Sequence, residues 1–373
     1  MSEPRWDLAI THRADECVEF VKDYFDQEDR NILLIAGAGF DPRATILAET
    51  LGALTKSTLR AALIKEIRRG SADEDLHALA TENLERLTAA LPAHEILSIE
   101  IFSADGSVSG GRAAARAVST LDLTEVTDIV VDVSALSIGV SFPIIRWVLD
   151  FPARAQWNLN VHLFVAHQPA LDDRIVATPS DTPVPVHGFD GRLRLSSENQ
   201  QIARLWLPQL AKGRASALST IYSKTNAEEV CVVLPFPASH PRAGDSLLEE
   251  MLTSTSGIPW EFDPRSIVYA DESDPLDLYR TIMRLQALRE PVFKEYGGSS
   301  LILSPIGSKV MALGALLAAL ERNLPVLYLE DFSYTLVDDP LTDVDLVGPS
   351  LMHVWLEGTP YPFERSPLAR PES

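Results

Sequence analysis

The run Ile32-Leu33-Leu34-Ile35, closed by Ala36-Gly37-Ala38-Gly39 and then Phe40-Asp41-Pro42-Arg43, constrains this chain more than any other stretch. Four consecutive large apolar residues leave no polar face, so a strand built from them must be covered on both sides. The small residues that follow allow a sharp turn. Pro42 suits the first turn of a helix, where a missing N–H is harmless, and residues 44–54 have helical composition. A buried strand that turns directly into a helix is the opening unit of a layered α/β fold.

The same grammar recurs along the chain. Strand-like runs occupy residues 94–102, 128–136, 159–167, 229–237, 266–271, 299–307 and 325–331. Helical spacing separates them, at residues 14–25, 73–91, 112–120, up to 149, 246–252, 276–288 and 309–321. Residues 59–67, "LRAALIKEI", suit either element. Strands alternating with helices through short loops imply mainly parallel, doubly wound sheets. A length of 373 residues exceeds one ordinary core. The expectation is an α/β fold of two Rossmann-like units. The first covers residues 1–170, a connecting segment 171–225, the second unit 226–340, and an irregular tail 341–373. Pro, Asp, Thr and Ser crowd residues 172–197, where the seam is placed, and "LMHVWLEG" in the tail reads as an edge strand.

Composition narrows the partners. The formal charge of -21 argues against broad binding to duplex nucleic acid, whose phosphates such a surface repels. Two cysteines, Cys17 and Cys231, make neither a disulfide framework nor a metal site and fit a reducing compartment. The start, "MSEPRWDLAITHRADE", has no apolar signal core, and the greasy run 310–320 is too short to cross a bilayer. A cytoplasmic protein with no membrane contact is expected.

Three strand-to-helix turns carry candidate chemistry. In the opening turn, Gly37 and Gly39 would let a ligand approach the backbone, Asp41 would cap the helix, and Arg43 would face a phosphate or pair with Asp41. The same residues equally suit a plain turn with a solvated arginine. The spacing fits neither G-x-G-x-x-G nor G-x-x-x-x-G-K-[ST]. In the second, Asp132 and Ser134 end a buried strand and would face Asp41 and Arg43 across a crevice if the two strands flank the point where strand order reverses. They are equally good helix caps. In the third, "LSPIGSKVMALGALLAAL", Gly307 frees the turn and Ser308 and Lys309 open an apolar helix. A lysine at a helix N-terminus is unfavourable by about 0.3–1 kcal/mol unless an anion sits there, a penalty small enough that Lys309 also suits a surface lysine beside a turn.

This third turn resembles that of CARF domains, Rossmann-like sensors of cyclic oligoadenylates in CRISPR-linked and related defence systems. In that family a strand ends in Asn-x-Thr-Gly-Gly-Thr-Lys and runs into an Ala/Met-rich helix. Gly307, Ser308, Lys309, Met311 and Ala312 match in type, whereas Leu303, Pro305 and Ile306 do not. The resemblance spans about a hundred residues and implies a nucleotide-sensing unit. It also implies a second ligand loop after the unit's first strand, for which "GAGFDPR" and "PFPASHPRAGD" are the two choices.

"PFPASHPRAGD" also stands alone. His240, Arg242 and Asp245 lie close enough to bind phosphate or move a proton, or to be solvated charges on a proline-stiffened loop. His162 and His167 lie five apart on a strand and its end and form no ligand pair. No HExxH or G-x-S-x-G occurs. Carboxylates in "DESDP" and "EDF" follow strands, and no metal or cofactor is assigned.

Three functions stay open on these residues: a sensor binding a nucleotide or related phosphorylated molecule, in anti-phage defence or other signalling; a nucleotide- or NAD-processing enzyme using Asp41 and Asp132; and a scaffold subunit. A protein partner or homodimer accompanies the first and third.

Overall fold

Residues 32–37 are buried, as a strand with no polar face requires. The protein is known from a computed structural model that describes residues 4–68, 74–151, 159–172, 174–194, 202–254, 258–336 and 348–361. Its strands in chain order are β1 (Thr11–Arg13), β2 (Asn31–Gly37), β3 (Thr58–Ile67), β4 (His94–Glu100), β5 (Asp128–Asp132), β6 (Asn160–His167), β7 (Ile175–Pro179) and β8 (Val184–Pro185). There follow β9 (Ala203–Pro208), β10 (Glu229–Val230), β11 (Val232–Pro235), β12 (Ile267–Ala270), β13 (Ser299–Ser304), β14 (Leu327–Tyr328), β15 (Asp331–Leu336) and β16 (Ser350–Glu357). Among them the ambiguous "LRAALIKEI" is the strand β3, buried at Ala61–Ile64 by its neighbours β2 and β4.

The described chain divides into two units, neither continuous in sequence. One is Leu8–Ala177 with residues 332–336 and 348–361; the other is Thr178–Asp331 with residues 4–7. In the first, a seven-stranded sheet runs β1-β16-β6-β5-β2-β3-β4. Its five strands from β6 to β4 are parallel, and β16 and β1 join antiparallel. Counted along the chain, the parallel strands stand in the order third, second, first, fourth, fifth. The "LMHVWLEG" segment is therefore an internal strand between β1 and β6, and β1 is the edge. The tail was expected to be irregular because antiparallel register cannot be read from one strand alone.

The Thr178–Asp331 unit repeats that order. β9 lies parallel to β13 on one side and to β10 on the other. β10 runs through Cys231 into β11, which pairs parallel with β12. Bridges Gln209–Val233 and Leu303–Val326 tie in β11 and the residue before β14. The result is β12-β11-β9-β13-β14, again third, second, first, fourth, fifth. The unit's first strand is thus β9, inside the segment expected to be a connection. Pro208 and the polar residues before Ala203 hid it. "PFPASHPRAGD" follows the second strand, so it is not the loop after the first.

The helix Lys309–Arg322 is buried from Val310 to Leu320, which accounts for its unbroken apolar composition. It packs against the helix Pro275–Phe293 so closely that a Cβ on Gly314 would lie 2.4 Å from the Pro275 carbonyl oxygen. Among the described residues, no helix is long and apolar enough to cross a membrane.

A second close approach fixes Gly37. A Cβ there would lie 2.8 Å from both the carbonyl carbon and oxygen of Ala135, whereas one on Gly39 would meet nothing within 4 Å. Gly37→Ala should lower stability by about 1–3 kcal/mol in urea unfolding, and Gly39→Ala should change it by about 1 kcal/mol or less.

Candidate functional site

In a doubly wound sheet the crevice opens at the carboxyl ends of the first and fourth strands, where strand order reverses. Each unit has one such point: after β2 and β5 in the first, after β9 and β13 in the second. Apart from Arg242, the predicted residues fall at one or the other, and the two differ in chemistry.

After β2, Asp41 caps the 3-10 turn Pro42–Thr45 by accepting from the Arg43 N–H at 3.0 Å. Its carboxylate also receives Nε of Arg43 at 2.9 Å and Nη2 at 2.7 Å. Arg43 reaches Asp172 through Nη1 at 2.8 Å and is only 2% exposed. Burial pulls against its charge, but Asp41 and Asp172 more than offset that, and the guanidinium is held firmly protonated. Asn83 donates to the carbonyls of Gly39 and Asp41 at 2.9 and 3.1 Å and clamps the turn. Of the three roles open to Arg43, the structure has the pairing with Asp41, and its burial excludes the solvated arginine.

After β5, Asp132 and Ser134 are both buried. Asp132 accepts from the N–H and hydroxyl of Ser134, and Ser134 Oγ accepts from the Ala166 N–H at 2.8 Å. These residues tie β5 to β6, and with Gly37 packed on Ala135 the two loops close on each other. Gly37, Gly39, Asp41, Arg43, Asp132 and Ser134 are brought to one end of one sheet, as expected, and their polar groups are largely engaged there by protein.

The point after β9 and β13 is different. Gln209 continues β9, with its N–H on the Ser304 carbonyl at 3.0 Å, and is 2% exposed. Its side-chain Nε2 donates to the Met311 carbonyl at 3.2 Å, and this fixes the amide so that Oε1 faces Gly307. Among the described residues, Oε1 has no hydrogen-bond partner. Gly307, Ser308 and Lys309 lead directly from this point into the helix. Ser308 caps that helix by accepting from the Met311 N–H at 3.3 Å, and Lys309 is its half-buried first residue. Arg214, at the end of the loop after β9, forks onto Asp331 at 2.9 and 3.2 Å.

Gln209 was not anticipated, because the strand that carries it was not recognised. His240 and Arg242 are exposed on the loop after β11, the strand beside β9, and Asp245 is exposed in the first turn of the helix Ala243–Thr253 that follows. Asp271 accepts from Ser273, shaping its own turn. Burial pushes the thiols of Cys17 and Cys231 up to about 12 and about 11, so neither is poised as a nucleophile.

One polar array had no counterpart in the sequence reading. His162 on β6 lies between Asp128 on β5 and His353 on β16, and His353 touches His12 on β1. His162 and His353 stand in largely apolar stretches, and only the strand register brings them together with His12. Among the described residues, no three His, Cys, Asp or Glu form a group able to hold a metal ion. Searched against protein-family models and curated proteins, the chain matches none.

Removing Asp41 would leave the buried Arg43 with one partner. Asp41→Ala should cost about 3 kcal/mol or more in denaturant midpoint stability, the scale for breaking a buried ion pair from one side. A cost near that of an exposed pair, below about 1 kcal/mol, would show that Arg43 is not held as described.

Proposed function

We propose that the Thr178–Asp331 unit binds a nucleotide or a related phosphorylated small molecule at the point between β9 and β13. The observation that carries this reading is Gln209 Oε1, a buried acceptor beside Gly307 with no partner among the described residues. A buried acceptor left unpaired costs about 1–3 kcal/mol, and a ligand N–H or O–H at that position would recover it. A base amino group or a ribose hydroxyl supplies such a donor. The start of the helix Lys309–Arg322 lies alongside, where helix N–H groups and the lysine favour an anion. A donor group next to a phosphate is the chemistry of a nucleotide.

The resemblance of Gly307, Ser308, Lys309, Met311 and Ala312 to the sensor turn of CARF domains points to the same ligand class and to binding without turnover. The Asp41 and Asp132 carboxylates of the enzyme alternative hold Arg43 and Ser134 in internal bonds, so they offer less to a substrate than Gln209 does.

The test is a melting screen against adenine and guanine mono-, di- and cyclic nucleotides, since a ligand that binds only the folded state raises the melting temperature. At least one nucleotide should shift it. Lys309→Ala and Gln209→Leu should each weaken that nucleotide about 10–100-fold, the effect of losing one charge-assisted or buried hydrogen bond. A panel with no shift, or a shift that both variants leave intact, contradicts the proposal.

A further inference from the structure

Asp128, His162, His353 and His12 sit on β5, β6, β16 and β1, four strands that are consecutive neighbours in one sheet. Their side chains form a continuous line. Asp128 Oδ1 lies 3.1 Å from His162 Nε2, His162 Nδ1 lies 3.0 Å from His353 Nε2, and His353 Nδ1 lies 2.9 Å from His12 Nδ1. Asp128, His162 and His353 are fully buried, and His12, at the far end, is half-buried. Because His353 uses a different nitrogen toward each neighbour, the line is a relay and not a chelate.

The carboxylate sets the direction of every bond in the line. Burial pushes the Asp128 carboxyl upward, but His162, Thr127 and Arg30 outweigh it and keep the carboxyl ionised. Tyr24 and Thr127 donate to it at 2.9 and 2.6 Å, and Arg30 lies 3.4 Å away. An ionised carboxylate only accepts, so His162 carries its proton on Nε2 and has a bare Nδ1. His353 must then carry its proton on Nε2, and His12 on Nδ1. The free end of the line is the bare Nε2 of His12.

We propose that this line is a proton site: it takes up one proton at His12 Nε2 and delivers the charge to His162 beside Asp128. The proton adds to His12 Nε2, the Nδ1 proton of His12 passes to His353 Nδ1, and the Nε2 proton of His353 passes to His162 Nδ1. All three hydrogen bonds survive, two of them reversed. The positive charge ends on His162 against the Asp128 carboxylate, and His12 and His353 finish neutral. A second proton would set two N–H groups against each other in one bond, so the line holds one.

The surroundings suit that role. Phe20 stacks on His12 at 4.1 Å and on His353 at 4.5 Å, and Trp355 lies 4.6 Å from His162. These rings exclude water, and a π-face tolerates an imidazolium. The charged and titratable groups around the line are Glu16 and Tyr24 from the helix Ala14–Phe25, Asp29 and Arg30 from the turn after it, and Asp128. Burial lowers all three histidines. Glu16 partly opposes this at His12 and Asp128 opposes it at His162, whereas at His353 the neighbouring His162 and His12 add to the effect of burial, and it is held lowest. The middle residue therefore passes the charge without keeping it.

Histidine-selective nitrogen-15 NMR of the whole protein, titrated between about pH 8 and about pH 5, reads the tautomers directly. At the upper end, His162 and His353 should be protonated on Nε2 and His12 on Nδ1. On acidification His353 should change to its Nδ1–H tautomer while staying neutral, as His162 becomes charged. Asp128→Asn, which removes the anion at the inner end, should abolish the switch. The proposal is overturned if wild-type His353 keeps its Nε2–H form throughout or becomes charged itself, or if the switch persists in a folded Asp128→Asn protein. If that variant does not fold, the wild-type titration alone decides.

Discussion

The parallel pairing of first and fourth strands, β2 with β5 and β9 with β13, is the contact on which the rest of the molecule depends. Strand order reverses across each pair, so each pairing both closes a sheet and opens a crevice at its carboxyl end. The later strands then lie outward on either side. The same order in both units means that one physical solution is used twice, on sequences with no evident repeat.

What differs is the treatment of polar groups at the two crevices. A buried polar or charged group needs a partner where it stands. After β2 and β5 that need is met inside the protein: Arg43 lies between Asp41 and Asp172, and Asp132 and Ser134 bond each other and β6. After β9 and β13 it is not fully met, because Gln209 Oε1 is left facing Gly307. Two equivalent positions in the same topology thus diverge, one with its polar groups paired internally and one with a buried acceptor left over among the described residues.

Much of the fold was legible in the chain. Residues 32–35, 129–131 and 301–303 are apolar runs that only a strand covered on both faces accommodates, and they became β2, β5 and β13. β9 was not legible, because its six residues are cut short by Pro208 and follow a polar stretch. The site was only half legible for the same reason: Gly307, Ser308 and Lys309 announced themselves, but Gln209 depended on β9. Asp172 lies 129 positions from Arg43, and nothing local joins them. The line of histidines was hidden altogether, since an apolar run marks a strand but not which residue the next strand sets beside a given histidine.

The account stands most directly on where a ligand protects the backbone. Amide hydrogen exchange of the whole protein, with and without the nucleotide that shifts its melting temperature most, measures this. The account predicts slowed exchange in residues 209–214 and 306–312, with residues 37–45 and 133–138 unchanged. Protection at 37–45 and 133–138, with none at 209–214 and 306–312, would contradict it.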